Sequence, residues 1–177
     1  AAPTCATCHM SAGQGQPVTH DVGARISWTL RPPVSHMKEG WLRKRGNMQA
    51  VCSACHSTSM IQGHYRQFDG VVQLYNEKFA TPAGEVMELV KEKKLLERKA
   101  SFGNDIEWIY WELWHHEGRR TRHGAAMMGP DYTWWHGIYD VIHNFYFEFL
   151  PAARELGNPE VNALIDRLMA EDPMHEW

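Results

Sequence analysis

The sequence predicts a mainly α chain in two parts, and three observations predict it. The pattern Cys-x-x-Cys-His occurs twice, as Cys5-Ala6-Thr7-Cys8-His9 and as Cys52-Ser53-Ala54-Cys55-His56. The region that holds both, residues 1–67, is punctuated by glycine and proline and has no segment long enough to bury a core alone. Residues 68–177, in contrast, carry apolar side chains at helical spacing, interrupted at a few proline-containing breaks.

The repeated motif has a definite chemistry. Two thiols three residues apart can bond the two vinyl groups on one edge of a porphyrin, while the next residue turns its imidazole onto the iron. The two motifs use all 4 cysteines, which leaves no further thiol pair for a zinc site or a redox dithiol. The fold class is therefore mainly α, a multihaem cytochrome c segment followed by a bundle of about four long helices. Two covalently bound haem c groups, each with its iron, are expected on Cys5, Cys8 and His9 and on Cys52, Cys55 and His56. Their porphyrins would supply the apolar interior that residues 1–67 lack.

Composition sets the same frame. The 177 residues are one domain's length, and 44% hydrophobic with 22% charged residues is the balance of a globular protein. A net charge of −3 speaks against a nucleic-acid partner and against a polybasic membrane patch. No apolar run approaches a membrane span. Haem is attached to this motif outside the cytoplasm, so a periplasmic or equivalent extracytoplasmic location is expected. The export signal would then be removed or lie outside these residues, and Ala1-Ala2-Pro3 fits either a cleavage site or a cut in a longer chain.

Taken in order, the first motif leads into a Gly- and Gln-rich loop over residues 11–17, then Thr19-His20-Asp21 and a short apolar segment, residues 22–30, broken by Arg31-Pro32-Pro33. Residues 38–50 read as a polar helix that delivers the second motif, with Trp41, Leu42, Met48 and Val51 inward. Residues 68–80 have helical spacing in Val71, Val72, Tyr75 and Phe79. Thr81-Pro82 reads as an N-cap and first-turn proline that start a new helix through residue 96. Asn104 or Asp105 caps a helix apolar on more than one face, with Ile106, Trp108, Ile109, Trp111, Leu113 and Trp114, the mark of a buried or interface helix. Gly129-Pro130-Asp131 starts another, with the stripe Trp135, Ile138, Tyr139, Ile142, Phe145, Tyr146 and Phe149, to be kinked or ended by Pro151. Gly157-Asn158-Pro159 opens the last helix, through residue 169.

Nine of the 11 histidines lie outside the motifs. His20 stands in a polar loop near the first motif and is the favoured second iron ligand. His123, before Gly124 near a helix C-terminus, is the next candidate, weighed against a histidine placed there by the helix dipole. His115 and His116 read equally as packed or ligating, and His36, His64, His136, His143 and His175 have weaker claims.

Cys5-Ala6-Thr7-Cys8-His9-Met10 with Thr19-His20-Asp21 downstream, the second motif about forty residues later, and the stretch HHEGRRTRHGAAMMGPDYTWWHG (residues 115–137) resemble the C-terminal third of the octahaem hydroxylamine oxidoreductases. The resemblance covers essentially the whole chain. It implies a homotrimer in which most haems are bis-His electron carriers and one, of the P460 type, is catalytic and cross-linked to a tyrosine of a neighbouring chain. Tyr132 matches that tyrosine, although taken alone it reads as a core aromatic at a helix start. By analogy with the related pentahaem nitrite reductases, His123 would ligate the haem of His9, and His20 a haem outside this chain or the haem of His56. The motif of the catalytic haem is absent, so the resemblance implies a partner: the rest of a longer octahaem chain or another haem-bearing chain, with a small redox cytochrome as electron acceptor.

The resulting expectation has two domains, a dihaem-binding segment over 1–67 and a helical bundle and oligomerisation region over 68–177. Together they form an electron-transfer and interface part of a multihaem enzyme oxidising hydroxylamine or hydrazine, with Tyr132 as its catalytic contribution. The alternatives are a stand-alone dihaem c-type electron carrier and part of a reductive relative acting on nitrite or hydroxylamine.

Overall fold

Why prolines sit inside helices that do not break at them is the first thing the architecture explains. The computed structural model describes residues 3–12, 16–97 and 100–175, with the side chain of Met174 excepted, so parts of the Gly/Gln loop and Ala1-Ala2 lie outside the described residues. The α-helices are α1 (Cys5–His9), α2 (Trp41–Cys52), α3 (Thr58–Tyr75), α4 (Thr81–Glu92), α5 (Asp105–Trp111), α6 (Gly118–Ala126), α7 (Asp140–Asn144), α8 (Leu150–Glu155) and α9 (Pro159–Glu171). π-helical turns at Asn76–Ala80, Glu112–Glu117 and Phe145–Phe149 join their neighbours without a break, whereas the π-helical segment Asp131–Tyr139 is kinked at His136 (φ −90°, ψ 22°). Ahead of Pro82 the N–H of Thr81 donates to Asn76 O, and ahead of Pro151 that of Leu150 donates to Phe145 O, each five residues back. A widened turn gives the proline ring room and makes its missing N–H cost little. Thr81 therefore begins α4 with Pro82 in its first turn, as expected, but not as a side-chain cap, since the helical backbone already runs through Ala80; Pro151 likewise sits in the first turn of α8 and does not end the helical run.

The expected apolar stripe holds at Ile138, Phe145 and Phe149, with Ile142 and Tyr146 packed against the core, and fails at two positions around the kink. From Ile138 onward the buried apolar side chains include Val141, Phe145 and Phe149, while Trp135 and Tyr139 are exposed. A helical stripe extrapolated at a uniform period goes out of phase wherever a residue is inserted. α3 also starts earlier than residue 68, at Thr58, because Ser57 caps it through Met60 N–H and Ile61, Tyr65 and Phe68 extend its buried side. The other boundaries follow local chemistry. Asn104 and Glu107 form a capping box on α5. Asn158 Oδ1 caps α9 after Gly157, whose φ of 67° suits glycine.

The chain forms two compact units, Ala1–Leu30 with Ser35–Asp69, and Arg31–Val34 with Gly70–Trp177. The second has an ordinary core: Tyr75, Phe79, Val86, Met87 and Val90 pack with Ile106, Leu113, Val141, Phe145, Phe149, Val161 and Ile165. Phe79 meets Phe145 edge-on with centroids 5.4 Å apart. Arg122, fully buried, donates from Nε to Gly118 O (2.7 Å) and from Nη1 to Pro32 O (2.9 Å), with its guanidinium 4.3 Å from the Tyr75 ring centroid. The Tyr75 hydroxyl donates to Pro33 O at 3.1 Å.

The first unit has little core of its own. Neither α1 nor α2 has a buried residue, and Leu42, expected to face inward, is 69% exposed. Its buried apolar side chains are Trp28, Leu30, Ile61, Tyr65 and Phe68, and Trp28 Nε1 donates to Asp69 Oδ1 at 2.8 Å. Arg45 makes two hydrogen bonds to the Asp69 carboxylate, at 2.6 and 2.7 Å, and lies over the Tyr65 ring.

One buried acid in the second unit gives a testable pH dependence. Glu117 Oε2 is buried without a hydrogen-bond partner, and Asn144, which bonds this carboxyl, has its own Oδ1 buried and unpartnered. Burial pushes the Glu117 carboxyl up to about 7, reinforced by Asp140, Glu112 and Glu148 and opposed by the Asn144 hydrogen bond. The folded chain therefore holds this proton more tightly than the unfolded chain. Its contribution to stability is fully present below the ordinary carboxylate range, is lost as pH rises to about 7, and is flat above. Glu117→Gln should remove that slope and stabilise the protein above pH 7 by roughly 1–2 kcal/mol, a figure discounted for the group's partial exposure. Urea unfolding of both proteins at pH 5 and pH 8 checks it; equal pH slopes would contradict it.

Candidate haem-binding site

Each motif folds as one helical turn. Thr4 and Thr7 close a capping box that starts α1, so Cys5, Cys8 and His9 stand at i, i+3 and i+4 on one side of the helix. In the second motif α2 ends at Cys52, and the N–H groups of Cys55 and His56 both donate to Cys52 O, at 3.1 and 2.9 Å. The chain thus repeats one geometry, with two thiols and an imidazole on a single turn. α1 packs on α2. That packing brings the first motif beside the helix that ends at Cys52, and burial pushes the Cys52 thiol up.

Three observations show that these residues fit a covalently bound haem. All four cysteines are unpaired, and none is fully buried. His9 Nδ1 is buried and has no hydrogen-bond partner. Large apolar side chains of this unit, Val18, Val22, Leu42 and Met60, are exposed although the unit is short of core.

The remaining candidates fall as follows. His20 is exposed on a loop tied back to the first motif by the Thr19 N–H to Met10 O bond (3.0 Å) and closed by an Asp21 turn. His123 is exposed in the last turn of α6, with Nδ1 2.8 Å from Arg119 O. A carbonyl only accepts, so Nδ1 carries the proton and Nε2 keeps a free lone pair, the arrangement an imidazole ligand needs. His20 and His123 belong to different units. His115 stacks on Trp111 with centroids 4.2 Å apart, and burial lowers its pKa. His136 and His143 are engaged through Nδ1 with Asp131 (2.9 Å) and Glu148 (3.3 Å), and His175 is bonded to the Tyr146 hydroxyl.

Tyr132 lies in the first turn of Asp131–Tyr139 and is 58% exposed. Its turn is anchored from beneath, because the buried Thr121 hydroxyl donates to Thr133 O at 2.8 Å and Thr133 Oγ1 to Gly129 O at 2.7 Å. Trp134, Trp135 and Tyr139 beside it are also exposed. Arg25, only 2% exposed, was not singled out by sequence reasoning; a lone arginine within the apolar segment 22–30 was the available signal.

A mainly α chain with two Cys-x-x-Cys-His turns and a core-poor unit around them has the features of a c-type cytochrome. The family model described as "Seven times multi-haem cytochrome CxxCH" matches residues 1–101, more than half of the chain. The chain belongs to this family: it is a multihaem c-type cytochrome that holds haem c covalently, binds its iron and transfers electrons. No curated protein and no solved structure matches it.

Proposed function

We propose that the chain is the electron-transfer and interface part of a multihaem enzyme that oxidises hydroxylamine or hydrazine, and that it carries two haems. Cys5 and Cys8 would bond the first and Cys52 and Cys55 the second, with His9 and His56 as their iron ligands; when bound, the haems supply one-electron redox chemistry. His20 and His123 are the proposed second ligands. Tyr132 is proposed to be joined to a P460-type haem of a neighbouring chain in a homotrimer. The partners would be the haem-bearing remainder of the enzyme and a small cytochrome, in an extracytoplasmic compartment.

The observation that carries this reading is the exposure of Tyr132 on a rigidly anchored turn. A phenol in the bundle core would have been unavailable to a second chain, whereas this one stands among exposed Trp134, Trp135 and Tyr139, an apolar patch of the kind that interfaces cover. No described helix is long and apolar enough to cross a membrane.

The haem count is tested by intact mass and the pyridine haemochrome spectrum. Wild type should give two haems per chain, retained through acid-acetone extraction because thioethers do not release porphyrin there. Cys52→Ser should weaken or abolish attachment at the second site and leave the first loaded. Release of haem from wild type by acid-acetone would contradict the assignment.

A further inference from the structure

Among the described residues, Arg25 is the arginine placed most directly against a haem motif. It is almost fully buried, its Nη1 donates to Cys8 O at 2.8 Å, and its Nη2 donates to Ser11 O. Both bonds fall on backbone carbonyls at the C-terminal end of α1, next to His9, and no ion pair among the described residues involves it. Its charge is therefore not cancelled by a carboxylate. The arginine of the helix that delivers the second motif differs: Arg45 is held by both oxygens of Asp69, so that pair is close to neutral. Both arginines fix their surroundings, but one adds net charge at a buried place and the other does not.

A net positive charge in a poorly screened interior disfavours the more positive oxidation state of a neighbouring iron. We propose that the buried Arg25 guanidinium holds the first haem, on Cys5, Cys8 and His9, at a higher reduction potential than the second and so makes it the electron-accepting end of the pair. The inference rests on the two-haem reading and does not depend on the nitrogen substrate or on Tyr132. Arg25 acts through the haem environment, as a positioning and tuning residue and not a catalytic one. The carbonyl hydrogen bonds orient α1, whereas the charge sets the potential, and the two roles are separable by substitution.

The experiment is a potentiometric titration of the holoprotein, followed in the Soret and α bands, for wild type, Arg25→Gln and Arg25→Lys. A Cys52→Ser, Cys55→Ser form, which keeps only the first haem, assigns the waves. In wild type the first haem should titrate at the higher potential. Arg25→Gln should lower that wave and leave the second in place, with band positions unchanged; Arg25→Lys, which keeps the charge, should largely retain the wild-type value. Two bound haems in Arg25→Gln with both potentials unmoved would overturn the proposal. So would equal shifts in the Gln and Lys variants, which mark a purely structural role. Should Arg25→Gln fail to load its first site, the wild-type titration decides, and a first haem at or below the second overturns the proposal. The two-haem reading fails separately, by a wild-type haemochrome count other than two.

Discussion

Changing Tyr132 to Phe is expected to abolish the P460-type absorption and the oxidative activity of the assembled enzyme while leaving this chain's own haems bound and low-spin. The expectation is sharp because the substitution removes one oxygen from an exposed ring. The turn that carries Tyr132 is held by Thr121 and Thr133, not by the phenol. Exposed substitutions of this kind typically change stability by about 0.5 kcal/mol or less, so unfolding cannot account for a lost signal. A phenol bonded to a porphyrin distorts the macrocycle, and distortion is one of the levers that tune haem electronics. Absorption spectroscopy and a hydroxylamine or hydrazine oxidation assay on the assembled protein check the outcome. Full activity with unchanged absorption in Tyr132→Phe would leave electron carriage as the function of this chain.

The second large effect is structural. Arg122→Ala should destabilise the second unit by about 3–5 kcal/mol, since it leaves a cavity and strips hydrogen bonds from the buried Gly118 carbonyl and the half-buried Pro32 carbonyl. The side chain is fully buried, donates to Gly118 O and Pro32 O, and lies over the Tyr75 ring. The neighbourhood has no slack to absorb the change on the Tyr75 side. A Cβ added at Gly118 would come within 2.4 Å of the Tyr75 hydroxyl, so ring and helix are already at contact. Chemical denaturation followed by far-UV circular dichroism reads the loss; a midpoint unchanged from wild type would contradict the role given to Arg122. Arg122→Lys should recover only part of it, because a single ammonium does not reproduce the fork of donors.

The mainly α class was legible because helical spacing persists through long stretches and the caps are local: Asn104 with Glu107, and Asn158 before Pro159, act within a few residues of themselves. The π turns were not legible. They arise where a whole turn widens, at Pro82 and Pro151 for the reason given above, and single-residue propensities carry no mark of the extra residue. Trp135 and Tyr139, in phase with a uniform stripe, stand in solvent on either side of the kink at His136, while Ile138, Phe145 and Phe149 of the same stripe are buried. At the haem-binding turns the chemistry could be read directly, since five consecutive residues contain both thiols and the ligand. Arg25 and Glu117 could not, because their character comes from burial among residues far away in sequence: Arg25 is seventeen positions from the carbonyl of Cys8, and Glu117 meets Asn144 across helices. Leu42 shows the opposite failure. It was read, with Trp41, Met48 and Val51, as marking the inner face of its helix, yet in the first unit it is exposed.

Peptide mapping of the native assembled protein tests the central claim most directly. After digestion, the peptide spanning Tyr132 should be recovered joined to a haem-bearing peptide of another chain and carrying porphyrin absorption, with the peptides of Cys5–Cys8 and Cys52–Cys55 each carrying one haem. Recovery of the Tyr132 peptide unmodified, with no haem attached, would contradict the assignment to an oxidising enzyme.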